Sequence, residues 1–271
     1  ALLFPDLLAG MYSYNNLLGL ALVMTLPALL VLRRFVWAVA AIVTIGVAIV
    51  WTSSRTSALA AAAGVAAVAI MYVVKSVRVR QWLVITSLTT LLIITVALPL
   101  TSTGNGDSFS ARGELWGFAL GDFAKSPVLG LGRDYFSPES VLTHQLGHFV
   151  SHGHNFFVTV AAVSGAVGLA LTLIVLAVLF FISARTISIT PVPFALVLIM
   201  MFTAIFETPS GAFPFDRPNT TSFAIWLIFA LVLWSPRASE LGAAFRVAPW
   251  ARVLAYRESP KNSTNQNTVA Q

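Results

Sequence analysis

The chain has 271 residues, of which 58% are apolar, with 16 Lys and Arg against 10 Asp and Glu. Its charged fraction is 10%, where a soluble domain carries about 25%, so a water-soluble fold is excluded and most of the chain is too apolar for disorder. The absence of cysteine excludes disulfides, thiolate metal sites and thiol nucleophiles together.

These numbers, with a mean hydropathy of +0.86, predict a polytopic all-α membrane bundle. A hydrocarbon core about 30 Å thick needs roughly 20 mostly apolar helical residues to cross it. The first such stretch is 14–32, with Pro27 tolerable inside a packed bundle. Arg33 and Arg34 stop it, and 35–51 follows. A polar break carrying Arg55 precedes an alanine-rich span, 57–74, which ends at a basic turn holding Lys75, Arg78 and Arg80. A fourth span is expected over 82–100. The polar segment 101–155 then reads as one large extracytoplasmic loop. A fifth span, 156–182, is longer than the bilayer requires and so is expected to tilt. The sixth is 187–206, with prolines near its start, and 223–234 is a short seventh. Two regions result: a membrane domain over 1–235, and a basic cytoplasmic tail over 236–271 whose last residues are expected to be disordered.

Seven spans place alternate loops on opposite sides. Arg33, Arg34, Lys75, Arg78, Arg80, Arg185, Arg237, Arg246, Arg252, Arg257 and Lys261 fall on one side; Arg55, Arg112, Lys125, Arg133 and Arg217 fall on the other. Cytoplasmic loops carry the excess of Lys and Arg, so the first side is the cytoplasm. That placement also accounts for the pI of about 10.2 without nucleic-acid binding. Ala1 is not an initiator methionine and no leader precedes the first span. The sequence therefore reads as the later part of a longer membrane protein.

Four candidate groups for chemistry stand close together. His144, His148, His152 and His154 share eleven residues of the predicted loop, three of them at i, i+4 spacing that one helix face would align. Several imidazoles suit zinc or copper; a single one suits a general base, the others being solvated. Gly147 and Gly153 argue against an uninterrupted helix through them. Arg55 and Arg112 stand on the side where cations are scarce. A planar guanidinium suits bidentate phosphate recognition, so two arginines and a histidine at one membrane face suit a lipid-linked phosphate or pyrophosphate. A snorkelling anchor or a local salt bridge would explain each arginine separately. A transporter is the rival of another class, but transporters place ionisable groups within spans. Apart from Glu207, near the end of the sixth, the spans lack them.

The loop residues carry a resemblance. Ser110-Ala-Arg112-Gly-Glu-Leu-Trp116, Ser126-Pro-Val-Leu-Gly-Leu-Gly-Arg-Asp-Tyr135 and Ser151-His-Gly-His-Asn155 resemble the C-terminal domain of O-antigen ligases and polymerases. In the ligases a His-Asn pair is followed by nine residues and then Gly-x-x-Gly; here His154-Asn155 is followed by 156–164 and then Gly165-Ala-Val-Gly168. The stretch from Gly10 to Gly19 and the Ser-Arg-Thr at 54–56 are also similar. Leu169-Ala170 stand where ligases can carry small threonine-type residues.

The resemblance implies a metal-independent, inverting glycosyltransferase of the cytoplasmic (inner) membrane, working at its periplasmic face without a cofactor. The glycan would come from undecaprenyl pyrophosphate and pass to a glycan, lipid or protein acceptor, as in a ligase. The alternative within the family is a polymerase. By motif position Arg55 and Arg112 would neutralise the leaving group, and His154 would take the acceptor proton. Asn155 would orient the imidazole or a sugar hydroxyl. Trp116 and Tyr135 are candidate sugar-stacking residues, and His152 a further substrate contact. Gly165 and Gly168 are read as helix-packing positions rather than substrate contacts.

Overall fold

The computed structural model describes residues 15–29, 35–102 and 112–208, and among them every regular element is helical. In chain order these are α1 (Asn15–Leu29), α2 (Phe35–Thr52), α3 (Arg55–Val73), α4 (Val77–Ser102), α5 (Arg112–Phe123), α6 (Val141–Leu146), α7 (Phe156–Thr186) and α8 (Val192–Ala204), with a 3-10 turn at Arg133–Phe136. α3, α4 and α7 are long and apolar enough to cross a membrane, while α1, α2 and α8 are shorter apolar helices. The expected span 223–234 and the tail 236–271 lie outside the described residues.

α8 is the hub. Every residue but Phe202 is buried, and the helix packs against α1, α3, α4 and α7. A helix that is apolar all round has no face to give to water and belongs in the middle of a bundle. The sequence predicts a sixth span from 187, but α7 runs on to Thr186 and a turn follows. Pro191 then caps α8 and a second proline sits in its first turn, where a missing N–H costs nothing.

α3 meets α8 along a row of small residues, Ala60, Gly64 and Val68, at the i, i+4 spacing of one face. A Cβ on Gly64 would stand 2.6 Å from Ile199 Cδ1, so the glycine permits the close approach. Both α3 and α4 pack on the short α8 although only residues 74–76 separate them. They must therefore run antiparallel on α8, each packed on that helix rather than on the other. Arg55, opening α3, thus sits at the same end of the bundle as Ser102, closing α4.

The long α7 is not a tilted rod. Gly165 interrupts it with φ 62 and ψ −159. If Gly168 carried a Cβ, Val160 Cγ1 would lie only 3.5 Å away, yet residues eight apart in a straight helix are about 12 Å apart along the axis. The arm 156–164 therefore folds back on the arm 166–186. Residues of both arms, Phe156, Val160, Leu169 and Leu176 among them, line one cavity of about 200 Å³ together with Leu92, Thr95, Val96 and Met201. The excess length that predicts a tilt is taken up by this reversal.

The break is stitched by residues 127–132. Ala166 N–H donates to Pro127 O (2.8 Å) and Val167 N–H to Val128 O (3.1 Å), while Leu131 N–H and Gly132 N–H donate to Ala162 O and Val163 O. Backbone groups freed at the helix break are thereby satisfied within the protein, as an apolar setting demands.

The segment expected to be a large loop is, over 112–155, a small folded cap. Leu115, Trp116, Ala119, Tyr135, Phe136 and Leu142 form its own apolar core, shared with Val158 and Ala162 of α7. Its α5 is amphipathic, with Leu115, Trp116 and Ala119 on one face.

Candidate functional site

The site forms where the cap meets the ends of α4, α7 and α8, and Asn155 fixes that meeting. Its Oδ1 accepts from Val158 N–H at 3.0 Å, capping α7. Its Nδ2 donates to Thr95 O of α4 and to Ile205 O beyond α8, each at 3.0 Å. The side chain is fully buried and ties three helices together. Both amide protons and the oxygen are spent on backbone, so the contact with an imidazole expected of Asn155 is absent from this arrangement.

On either side of that anchor the chain is held by Trp116 and Thr159. The buried indole N–H of Trp116 donates to Gly153 O at 2.9 Å, and Gly153 N–H donates to Thr159 Oγ1 at 3.0 Å. Thr159 Oγ1 in turn meets Thr208 Oγ1 at 2.8 Å. Between them His154 adopts φ 46, a left-handed conformation that costs a side-chain-bearing residue about 1–2 kcal/mol. Such strain persists where the surroundings over-determine it, commonly at functional sites.

Four side chains converge as a result. Arg112 Nη2 donates to Glu207 Oε1 at 3.1 Å. His152 Nε2 lies 3.2 Å from Glu207 Oε2, and His154 Nδ1 lies 3.4 Å from the same oxygen. The two imidazoles are 4.3 Å apart, centre to centre. Glu207 itself is 14% exposed. Its carboxyl is pushed up by burial, but the pull of His152 and His154 is greater and brings its pKa down to about 2. Arg112 supplies a permanent countercharge, so Glu207 is a carboxylate.

The histidines differ. His152 Nδ1 meets the Ser151 hydroxyl at 2.9 Å; with its Nε2 on Glu207 both ring nitrogens are engaged, which fits the neutral tautomer protonated on Nε2. Burial holds its pKa below the ordinary value against the opposing pull of Glu207. His154 Nδ1 is buried and makes no hydrogen bond. It faces a carboxylate at a distance one small movement would close, the relation that stabilises an imidazolium in a carboxylate–histidine pair. His152 Nε2, His154 Nδ1 and a Glu207 oxygen also lie within 4.8 Å of one another, a donor set of the kind that divalent metals take.

The remaining sequence candidates are placed apart from this cluster. Arg55 is exposed at the start of α3, at the same end of the bundle, and makes no ion pair among the described residues. Tyr135 is buried and donates to Asp122 Oδ2 at 2.9 Å; burial and that carboxylate raise its pKa. Neither Tyr135 nor Trp116 presents an open ring face, so the expected sugar-stacking surface is not formed by them here. α6 ends at Leu146 and Gly147 turns left-handed, so no helix face aligns the histidines; His144 and His148 are exposed outside the cluster.

Glu207 is the residue that sequence reasoning passed over as a site member. The signal was available: it is the lone carboxylate at the end of an otherwise apolar span, and such groups are functional by default.

A helical membrane protein with an Arg–Glu–His cluster at one end of its bundle is the class that fold and site define. Residues 40–173 match the family model described as O-antigen ligase. The match takes in Arg55, Arg112, His152, His154 and the Gly165–Gly168 break; Glu207 lies beyond it. No curated protein and no solved structure matches the chain.

Proposed function

We propose that the chain is a membrane glycosyltransferase that moves a glycan from undecaprenyl pyrophosphate to an acceptor hydroxyl on the periplasmic face of the inner membrane, as an O-antigen ligase-like enzyme. The observation that carries this reading is the convergence of Arg112, His152 and His154 on Glu207 from three separate stretches of chain.

The level of the cluster suits such a donor. Thr95, bonded to Asn155, stands about 15 residues and so about 22 Å along α4 from Arg80. Against a hydrocarbon core of about 30 Å, the cluster then lies in the outer third of the core, on the side where a pyrophosphate headgroup lies.

The reaction is a single displacement. The acceptor oxygen bonds to the anomeric carbon, the carbon–oxygen bond to pyrophosphate breaks with inversion, and the pyrophosphate stays on its lipid. His154 takes the acceptor proton, and Glu207 stabilises the resulting imidazolium. Arg112 spends one N–H on Glu207 and keeps the rest of its five donors for the departing phosphates. Arg55, exposed at the same end of the bundle, adds a second cation there. Neutralising charge where it develops is commonly the largest contribution to such a step.

The test is glycan transfer in membranes holding equal amounts of each full-length variant. His154→Ala should lower transfer about 10²–10⁴-fold, the usual worth of a positioned acid–base group. Arg112→Lys should also be damaging, because the charge survives and the fork does not. His144→Ala should be near normal. Near-normal transfer by His154→Ala ends the proposal.

A further inference from the structure

The cap touches the bundle through residues 127–132, and that contact has an outward side. Val128 and Leu129 are 61% and 72% exposed, with Leu131 partly so, although the backbone beneath them is bonded at Pro127 O, Val128 O, Leu131 N and Gly132 N to the two arms of α7. An apolar tip on a rigidly bonded backbone is an unfavourable thing to hold in water.

Its depth follows from α7. The arm from Ala166 to Arg185 spans about 20 residues, which rise about 30 Å, the thickness of a hydrocarbon core. With Arg185 at one boundary, Ala166 and Val167 stand at the other, and these residues hold Pro127 and Val128. The exposed tip is also continuous with the exposed side of that arm, where Val167, Leu171 and Ile174 face outward. On either flank of the tip stand Lys125 and Arg133, with side chains 68% and 74% exposed, at the level of lipid phosphates.

We propose that residues 127–131 are a membrane-inserted loop: Val128, Leu129 and Leu131 enter the acyl chains of the leaflet on the site's side, and Lys125 and Arg133 lie among its phosphates. The occupant is the phospholipid itself. Pro127 O, Val128 O and the N–H groups of Gly130, Leu131 and Gly132 are bonded within the protein, which leaves fewer backbone groups of the tip to be satisfied at the lipid boundary. The cap that carries Arg112, His152 and His154 is thereby anchored to the lipid surface at a fixed height. This rests on the fold alone, so it stands or fails separately from the glycosyl-transfer reading.

Residues 1–271 contain no cysteine, so each cysteine introduced below is the one labelled position among them. Full-length Leu129→Cys, Glu139→Cys and Leu171→Cys would each carry an environment-sensitive fluorophore in phosphatidylcholine–phosphatidylglycerol vesicles. Quenching by lipids with a nitroxide near the headgroup and by aqueous iodide would be compared. Leu129→Cys should follow Leu171→Cys, with strong lipid quenching and at least threefold less iodide quenching than Glu139→Cys. Iodide quenching equal to that of Glu139→Cys overturns the proposal. So does insensitivity to both quenchers, which would mean that protein covers the tip.

Discussion

Arg112 and Glu207, ninety-five residues apart in sequence, meet at 3.1 Å through a guanidinium N–H and a carboxylate oxygen. The contact joins the first residue of α5 to the turn after α8, and so couples the cap to the central helix of the bundle. A partly buried pair of this kind is costly to break from one side, because the partner keeps its charge in a poorly solvated place.

Glu207→Gln is therefore the sharpest single change. The shape survives, but Arg112 loses its countercharge and any imidazolium at His154 loses its carboxylate. Transfer is expected to fall by about 10²-fold or more, in the direction seen when the carboxylate of a histidine pair is made neutral. Glu207→Asp, which keeps the charge one methylene short, should recover part of it. Equal transfer by wild type and Glu207→Gln at matched membrane levels would remove Glu207 from the mechanism.

The titration of His152 gives a stability prediction of definite sign. Its folded pKa lies below the ordinary value of 6.5 because burial penalises the charged form. Between the folded and unfolded pKa values the unfolded chain binds the extra proton, so stability rises with pH there. It is fully present above about pH 6.5 and declines as pH falls below it. Thermal unfolding in detergent should show a lower melting temperature at pH 5.5 than at pH 7.5, and His152→Gln should flatten that slope. Glu207, held at about 2, adds a similar loss only below its unfolded value near 4.5. A melting temperature that rises on acidification from pH 7.5 contradicts the assignment.

Much of this was readable in the sequence, unevenly. Composition fixes the all-helical membrane class, and the spacing His154-Asn155, nine residues, Gly165-x-x-Gly168 identifies the family segment. A helix opening at Arg112 was legible, but the packed cap around it was not, because segment 101–155 looks polar on average. The reversal at Gly165 was hidden too. Glycine in an apolar run reads as a packing position, and only the partners Pro127 and Val128 reveal a broken helix. Asn155 beside a histidine suggests catalysis, whereas its amide is committed to Val158, Thr95 and Ile205. Backbone partners sixty and fifty residues away leave no local mark.

The glycine break yields a contrast among alanine substitutions. A Cβ on Gly165 would lie 2.4 Å from Val128 O, and the residue has φ 62. The backbone term alone costs about 1–2 kcal/mol, and the clash is with backbone that cannot swing away. On Gly168 a Cβ would meet Ser164 Cβ at 2.2 Å. Gly46 on α2 has nothing within 4 Å of the same position. Gly165→Ala and Gly168→Ala should thus lower the yield of folded protein and the melting temperature by several degrees, while Gly46→Ala stays within about 0.5 kcal/mol of wild type. Three equal melting curves would show that the arms of α7 do not fold back on each other.

Metal dependence separates two uses of the same three side chains. His152, His154 and Glu207 present nitrogen and oxygen donors within 4.8 Å of one another, but their charges are already balanced by Arg112 at 3.1 Å from Glu207. A divalent ion would bring two further positive charges beside a fixed guanidinium, and repulsion between like charges is strong in a poorly solvated site. If Arg112 and Arg55 meet the leaving pyrophosphate, transfer in membranes treated with EDTA should remain within about twofold of the untreated rate. Added zinc should slow it by occupying His154, whose imidazole must stay free to accept a proton. Zinc binding should also disappear in His154→Ala and weaken in Glu207→Gln, measured directly by competition with a zinc-sensitive dye. Transfer abolished by EDTA and restored by zinc or magnesium would instead make these residues a catalytic metal centre and return Arg112 to a structural ion pair.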